Sequence, residues 1–152
     1  MTCNVLLIVV DQWRGEALSY LGAKHAHTPN LDRLAKRGVT FAKNFAQSAP
    51  CAPARASLYT GLYPMNHRVI SNGTPLDDRH TTLARELRKA NYEPALIGYA
   101  TTTPDPRRTP LNDTAFLTYG TVGRDWKIIT KLEELDHQSW ARWLHGRAPH
   151  LA

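Results

Sequence analysis

Residues 51 to 61 read Cys51-Ala52-Pro53-Ala54-Arg55-Ala56-Ser57-Leu58-Tyr59-Thr60-Gly61. The pattern predicts a loop over 47–53 and then a short helix over 54–59 that ends near Gly61. Cys51 would then lie just before a helix N-terminus, where backbone N–H groups and the helix dipole favour negative charge. Arg55 follows one turn later on the same face. This arrangement suits attack on a tetrahedral anion, although a bare C-x-P-x-R pattern more often marks a structural cysteine beside an unrelated surface arginine.

The apolar run Val5–Val10 lies well upstream of this motif and is β-branched or aliphatic throughout. Such a run predicts a strand buried on both faces of a parallel sheet. It ends in Asp11-Gln12, and ligands of open α/β sheets bind beyond the carboxyl ends of the strands. Carboxylate and amide oxygens suit hard cations such as Mg²⁺, Ca²⁺ or Mn²⁺. A simple strand-terminating turn fits these two residues equally well.

The rest of the chain alternates helical and extended patterns. The predicted elements are a helix over 31–37 with Gly38 at its C-terminal cap, a strand over 39–46, a helix over 82–90, a strand over 95–98, a proline-rich loop over 101–110, and a terminal amphipathic helix through Leu132, Leu135, Trp140, Trp143 and Leu144. The order β-α-β-α favours a layered α/β sheet.

Composition limits the class of protein. The 152 residues, 42% hydrophobic and 21% charged, match a globular chain of one domain or part of one. The 19 basic residues exceed the 13 acidic ones but form no polybasic run, so a small anionic substrate is expected rather than nucleic acid. The longest apolar run is too short for a signal peptide or a membrane span, which predicts a cytoplasmic protein with no membrane partner. The two distant cysteines predict neither a disulfide framework nor a zinc knuckle.

Four segments in the same order resemble the sulfatase family. They are the apolar run that ends in Asp11, the segment Thr28-Pro29-Asn30-Leu31-Asp32-Arg33-Leu34-Ala35, the C-x-P-x-R motif at 51–55, and Thr60-Gly61 after it. The resemblance implies an alkaline-phosphatase-like α/β fold, a layered α/β/α sheet of which this chain is the N-terminal portion. Residues 1–152 are then the N-terminal part of a sulfatase-type catalytic domain, with the motifs in 1–110 and an unassigned, helical end over 111–152.

Within that superfamily the chain looks most like the phosphonate monoester hydrolase and arylsulfatase branch. Gln12 stands where many sulfatases have a second aspartate after the first strand. Residues 98–107 resemble the branch's own loop, in which a tyrosine and a threonine two residues apart line the substrate pocket. The resemblance therefore implies that Tyr99 and Thr101 contact the substrate.

The resemblance also implies the chemistry. A formylglycine-generating enzyme oxidises Cys51 to formylglycine, whose hydrate attacks sulfur or phosphorus, while Arg55 holds and stabilises that residue. A divalent metal (Ca²⁺, Mn²⁺ or Mg²⁺) is bound by Asp11, Gln12 and residue 51. The expected substrate is a small anionic sulfate, phosphonate or phosphate ester, and a homo-oligomer is compatible with the full-length protein.

Sulfatases complete their metal site with an Asp-His pair far downstream, and this chain has Asp136-His137 as its only such pair. Its helical, charged surroundings predict a surface position instead. The fragment alone is therefore expected to be inactive. The alternative function is a truncated, non-catalytic anion-binding protein or pseudoenzyme that lacks the downstream metal ligands. None of the seven histidines shares a ligand spacing, and His67, which follows the motif helix, is expected to be structural.

Overall fold

The computed structural model describes residues 3–110, 125–131 and 145–147. The chain divides into two compact units, residues 1–45 and 46–152, which are described separately here. Within these described ranges, no helix is both long enough and apolar enough to cross a membrane. The expected terminal helix, with Trp140 and Trp143, and the pair Asp136-His137 lie outside the described residues.

The first unit is organised around the carboxylate of Asp32. Helix α1, Pro29–Arg37, starts with a proline, whose fixed φ and missing N–H suit the first helical position. Asp32 in its first turn accepts hydrogen bonds from the Ser19 hydroxyl at 2.8 Å and the Thr28 hydroxyl at 3.0 Å. These bonds, that from Ser19 first, hold the pKa of Asp32 below its usual value. The predicted helix is confirmed, but Gly38 ends it in an extended conformation, with φ −126°, rather than a left-handed one.

Two predicted strands are wrong for the described part of the chain. Residues 5–10 and 39–46 form no strand, and the exposed fraction over 5–10 runs from 43% at Val9 to 83% at Leu6. A strand buried on both faces of a sheet needs hydrogen-bonded neighbours at its edges. Among the described residues no strand pairs with either segment. An apolar run alone therefore does not predict a strand, because it does not specify which strand it pairs with.

The second unit contains helix α2, Cys51–Thr60, helix α3, Pro64–His67, and helix α4, Leu83–Lys89. Helix α2 confirms the predicted helix but begins earlier, so Cys51 is its first residue rather than a residue before it. Gly61 ends α2 in the left-handed conformation, φ 70°, and its N–H donates to Ser57 O at 2.8 Å.

Helix α4 confirms the prediction over 82–90. Thr82 caps its N-terminus, because the threonine hydroxyl accepts a hydrogen bond from the Arg85 N–H at 3.3 Å. Glu86 in the first turn and Arg88 and Lys89 in the last turn complement the helix dipole.

Strand β1, Ala95–Gly98, is confirmed and pairs in parallel with strand β2, Lys127–Lys131. Ala95 lies opposite Lys127 and Gly98 opposite Lys131, with an irregularity after Leu96. Sequence analysis missed β2, which has lysines at both ends, although its β-branched run Ile128-Ile129-Thr130 is typical of a strand.

The core of the second unit is formed against α2. Ala52 and Ala56 of that helix pack with Val69, all nearly inaccessible, and the half-buried Leu76 covers them. Two alanines one turn apart let the chain after α3 approach the helix closely. Tyr59 of α2 meets Trp126 edge to face, with ring centroids 5.8 Å apart, so Trp126 packs against the helix.

Candidate active site

Cys51 is a half-buried thiol that is not part of a disulfide. A helix N-terminus usually has unsatisfied backbone N–H groups, but the residues just after Cys51 offer few of them. The Ala52 N–H donates to Asn72 Oδ1 at 2.9 Å, the Ala54 N–H donates to Pro50 O at 3.2 Å, and Pro53 has no N–H. An anion near residue 51 must therefore rely on the helix dipole and on Arg55 more than on these amides.

Arg55 lies one turn after Cys51 and is only 7% exposed. Its Nη1 donates to the carbonyl oxygen of Tyr99 at 3.0 Å, and its Cζ lies 4.5 Å from the centroid of the Tyr99 ring. The guanidinium thus stacks on the aromatic face while it bonds to the backbone of the same residue. Within the described ranges no ion pair joins Arg55 to a carboxylate.

The loop after β1 presents Tyr99 and Thr101. Gly98 has φ 107°, a conformation that side chains rarely adopt, and it turns the chain out of the strand. Ala100 is fully buried, and Thr101 follows with φ 54°. The hydroxyl of Thr101 is the one buried side-chain polar atom of the described residues that lacks a hydrogen-bond partner. A buried hydroxyl without a partner carries a desolvation cost.

Asp105 braces the later part of this loop. Its carboxylate accepts two bonds from the Arg107 guanidinium, at 3.0 and 2.9 Å, and a third from the Arg107 N–H at 3.0 Å. These bonds lower the pKa of Asp105. Its carbonyl also accepts from the Arg108 and Thr109 N–H groups, which closes a turn.

Asp11 and Gln12 lie in the first unit, in an exposed turn after residues 5–10, and Gln12 has φ 56°. Their oxygen donors are chemically suited to a hard divalent cation. No group of three or more His, Cys, Asp or Glu residues able to hold a metal gathers among residues 3–110, 125–131 and 145–147. The structure thus brings Arg55 and Tyr99 into contact, while the proposed metal ligands Asp11 and Gln12 are described only within their own unit.

Sequence analysis missed two residues that support α2. Asn72 accepts the Ala52 N–H from across twenty residues, and no local pattern announces that contact. Ser57 of α2 forms a buried pair with His67, with Ser57 Oγ and His67 Nε2 2.9 Å apart. A histidine six residues after the T-G of the motif was the only available signal, and the structural role expected for it agrees with its position.

A separate cleft lies between α4, the Thr102–Pro104 part of the loop and Trp126. Its polar wall is occupied by an ion pair, since Arg85 Nε contacts Asp125 Oδ2 at 2.9 Å. Neither Cys51 nor Arg55 lines this cleft, and its apolar floor is formed by Tyr59, Leu76 and Trp126.

Comparisons with known proteins agree with this geometry. The Sulfatase family model matches residues 3–142. The multifunctional alkaline phosphatase superfamily protein PehA of Trinickia caryophylli is 52% identical over 135 residues, which cover 86% of this chain and 26% of that protein. The choline-sulfatase of Rhizobium meliloti is 42% identical over 95 residues, 62% of this chain and 19% of that protein.

Two solved structures are also similar. The phosphonate monoester hydrolase of Agrobacterium radiobacter superposes with a TM-score of 0.78 at 49% identity, covering 90% of this chain and 27% of that one. The phosphonate monoester hydrolase from Silicibacter pomeroyi gives 0.83 at 39% identity, covering 97% and 29%. The chain therefore spans less than a third of the length of each of these four relatives.

These matches confirm the predicted alkaline-phosphatase-like α/β fold, and the relatives that share it are named as hydrolytic enzymes. Since the family match extends over nearly the whole chain and includes the motif at 51–55, the chain belongs to the sulfatase family.

Proposed function

We propose that the full-length protein hydrolyses sulfate and phosphonate esters, and phosphate esters that carry one free negative charge. Residue 51 is the nucleophile, and Arg55 is its charged partner. The observation that carries this proposal is the fixed position of Arg55. It lies one turn after Cys51, is almost fully buried, and is held against Tyr99 by a hydrogen bond and a stacking contact.

A buried guanidinium stays charged at neutral pH because an arginine side chain is not deprotonated in proteins. The carbonyl and ring of Tyr99 stabilise that charge without neutralising it, and no carboxylate of the described residues pairs with it. A positive charge with remaining N–H donors, one turn from the nucleophile, suits a tetrahedral oxyanion whose charge grows in the transition state.

Tyr99 and Thr101 are proposed to contact the substrate. The partnerless buried hydroxyl of Thr101 supports this role, because a non-bridging ester oxygen would satisfy it. Hydroxyl donors add hydrogen bonds but no positive charge, which suits esters with one free negative charge. Sulfate monoesters and phosphonate monoesters both meet this condition, so the activity should be promiscuous.

Two further features are proposed from the family rather than from the described residues. Cys51 is oxidised to formylglycine by a formylglycine-generating enzyme, the partner that the C-x-P-x-R motif implies, and Arg55 then holds the converted residue. Asp11 and Gln12 would hold a divalent metal, and their oxygen donors fit such a cation. When bound, that metal would supply polarisation of the ester and a lowered pKa for a bound hydroxyl.

The proposal is tested on the full-length protein produced with and without a formylglycine-generating enzyme. Initial rates on an aryl sulfate and on a phenyl phosphonate monoester are compared for the parent protein, Cys51→Ala and the matched control Cys3→Ala. We expect Cys51→Ala to lose about a thousandfold or more in kcat/KM on both esters and Cys3→Ala to stay within about twofold.

Retention of turnover by Cys51→Ala would contradict the proposal. A second result would also contradict it: a protein with verified conversion of Cys51 and added Mn²⁺ that binds sulfate but hydrolyses neither ester. That result would support the non-catalytic anion-binding alternative.

A further inference from the structure

The imidazole of His67 bridges two segments of the second unit. His67 ends α3 and is 2% exposed, and its Nε2 lies 2.9 Å from the hydroxyl of Ser57 on α2. Its Nδ1 accepts a hydrogen bond from the Val69 N–H at 3.1 Å. One ring therefore connects the middle of α2 to the backbone just beyond α3.

The Val69 bond fixes the protonation state of this ring. Because Val69 N–H is a donor, Nδ1 must carry a lone pair, and the proton of the neutral imidazole lies on Nε2. Nε2 therefore donates, and the Ser57 hydroxyl accepts. This direction excludes His67 as a general base for Ser57, since the nitrogen that faces the hydroxyl is already protonated. The buried Ser57–His67 pair is thus not a second catalytic dyad.

The segment held by His67 supports the start of α2. Val69 packs on Ala52 and Ala56, the residues directly after Cys51 and Arg55. Three residues further on, Asn72 accepts the Ala52 N–H at 2.9 Å. The first turn of α2 therefore rests on residues 69–72, and those residues are fixed to the helix through His67 and Ser57.

We propose that His67 is a positioning residue for residue 51: its neutral imidazole joins Ser57 to Val69 and so holds residues 69–72 against the first turn of α2. The inference rests on the proposed function in treating residue 51 as the nucleophile. The bridge itself consists of contacts that exist whether or not the protein turns over an ester.

The bridge depends on pH because the imidazolium has no lone pair for the Val69 N–H. Burial, followed by the charge of His80, lowers the pKa of His67 and so favours the neutral form. Two other charged side chains lie on α2 or directly after α3. Arg55 on α2 is directed at Tyr99, and Arg68, next in sequence, is exposed. Protonation of His67 would therefore meet no carboxylate contact among the described residues.

Nuclear magnetic resonance of the ¹⁵N-labelled protein tests this proposal without any measurement of turnover. Long-range ¹H–¹⁵N spectra at neutral pH should show His67 as the Nε2-protonated tautomer. The Ala52 amide signal should titrate with His67 on acidification. Its hydrogen exchange should rise about threefold to tenfold in Ser57→Ala and in His67→Phe, the effect of losing one buried hydrogen bond.

His67→Gln is the conservative variant, because its amide has both a donor and an acceptor. It should restore slow exchange at Ala52 and abolish the acid titration of that signal. His80→Gln is the matched control and should keep both. An Nδ1-protonated His67, or an Ala52 amide that exchanges at the parent rate in folded Ser57→Ala, would overturn the proposal. None of these readouts needs a substrate. A negative result here can therefore be distinguished from an absence of ester hydrolysis.

Discussion

The Arg55 guanidinium lies over the Tyr99 ring, with Cζ 4.5 Å from the ring centroid, and donates to the carbonyl oxygen of the same residue at 3.0 Å. This double contact joins the helix that carries the proposed nucleophile to the loop that carries the proposed substrate contacts. A guanidinium can make both contacts at once because its charge is planar and its donors lie in that plane. The loop and the motif helix therefore form one structural element of the site.

Arg55→Lys should destabilise the second unit by about 1–2 kcal/mol, since an ammonium keeps the charge but loses the stacking contact. Urea unfolding followed by tryptophan fluorescence measures this change. Arg79→Lys is the matched control, because Arg79 is exposed and its nearest carboxylate contact, to Asp77, is 3.8 Å long. That exposed pair should contribute less than about 1 kcal/mol. Equal losses in the free energy of unfolding for the two substitutions would show that the Tyr99 contact adds no measurable stability.

Tyr99→Phe should separate structure from substrate binding. The phenyl ring keeps the face over which Arg55 lies, so that contact should survive, whereas kcat/KM should fall about tenfold or more if the hydroxyl bonds to the ester. Thr101→Val should behave likewise. It removes a buried hydroxyl that has no partner, so the unliganded protein should be as stable as the parent or more so. Values of kcat/KM within about twofold of the parent on both esters, for both variants, would remove these residues from the substrate site.

Stability should fall as the pH drops below about 6.5, the ordinary pKa of histidine. The folded state keeps the pKa of His67 below that value, so the unfolded chain binds more protons in this window and is stabilised relative to the folded state. Carboxylates with lowered pKa values, such as Asp105 and Asp32, act only in more acidic solution. Unfolding free energies of parent, His67→Gln and His80→Gln between pH 7 and 5 measure the effect. The slope should flatten in His67→Gln alone; an unchanged slope there would assign the acid sensitivity elsewhere.

Divalent metals should bind the 152-residue chain only weakly, with dissociation constants of about 10⁻⁴ M or higher. Asp11 and Gln12 supply only part of the six or more oxygen ligands that Ca²⁺ prefers. Calorimetry with Mn²⁺, Ca²⁺ and Mg²⁺ measures this. Asp11→Ala should remove the binding, whereas Glu16→Gln, a nearby exposed carboxylate paired with Arg14, should not. Tight binding that persists in Asp11→Ala would show that the proposed ligands are wrong.

Local signals explain what the sequence predicted well. Helix α2 ends just before Gly61 because glycine takes a positive φ there, and α4 begins just after Thr82 because the threonine hydroxyl caps the helix. Both signals lie within a few residues of the element that they define. The motif likewise places Arg55 one turn after Cys51, since helical spacing alone determines that relation.

Long-range contacts explain what the sequence did not predict. The bond from Arg55 to Tyr99 joins residues 44 positions apart, and only the resemblance to a family placed both at one site. The acceptor role of Asn72 and the bridge through His67 leave no pattern in the sequence. The predicted strand over 5–10 is wrong because a strand needs a partner strand, and the apolar run does not specify one.

The most direct test of the account is the mass of the tryptic peptide over residues 44–55, released from protein made together with a formylglycine-generating enzyme. Trypsin cuts after Lys43 and Arg55, so this peptide contains Cys51 and no other cysteine. The account predicts an aldehyde at residue 51, identified by its mass and by capture with a hydrazide probe. Only unmodified thiol, in cells shown to convert another sulfatase, would contradict it.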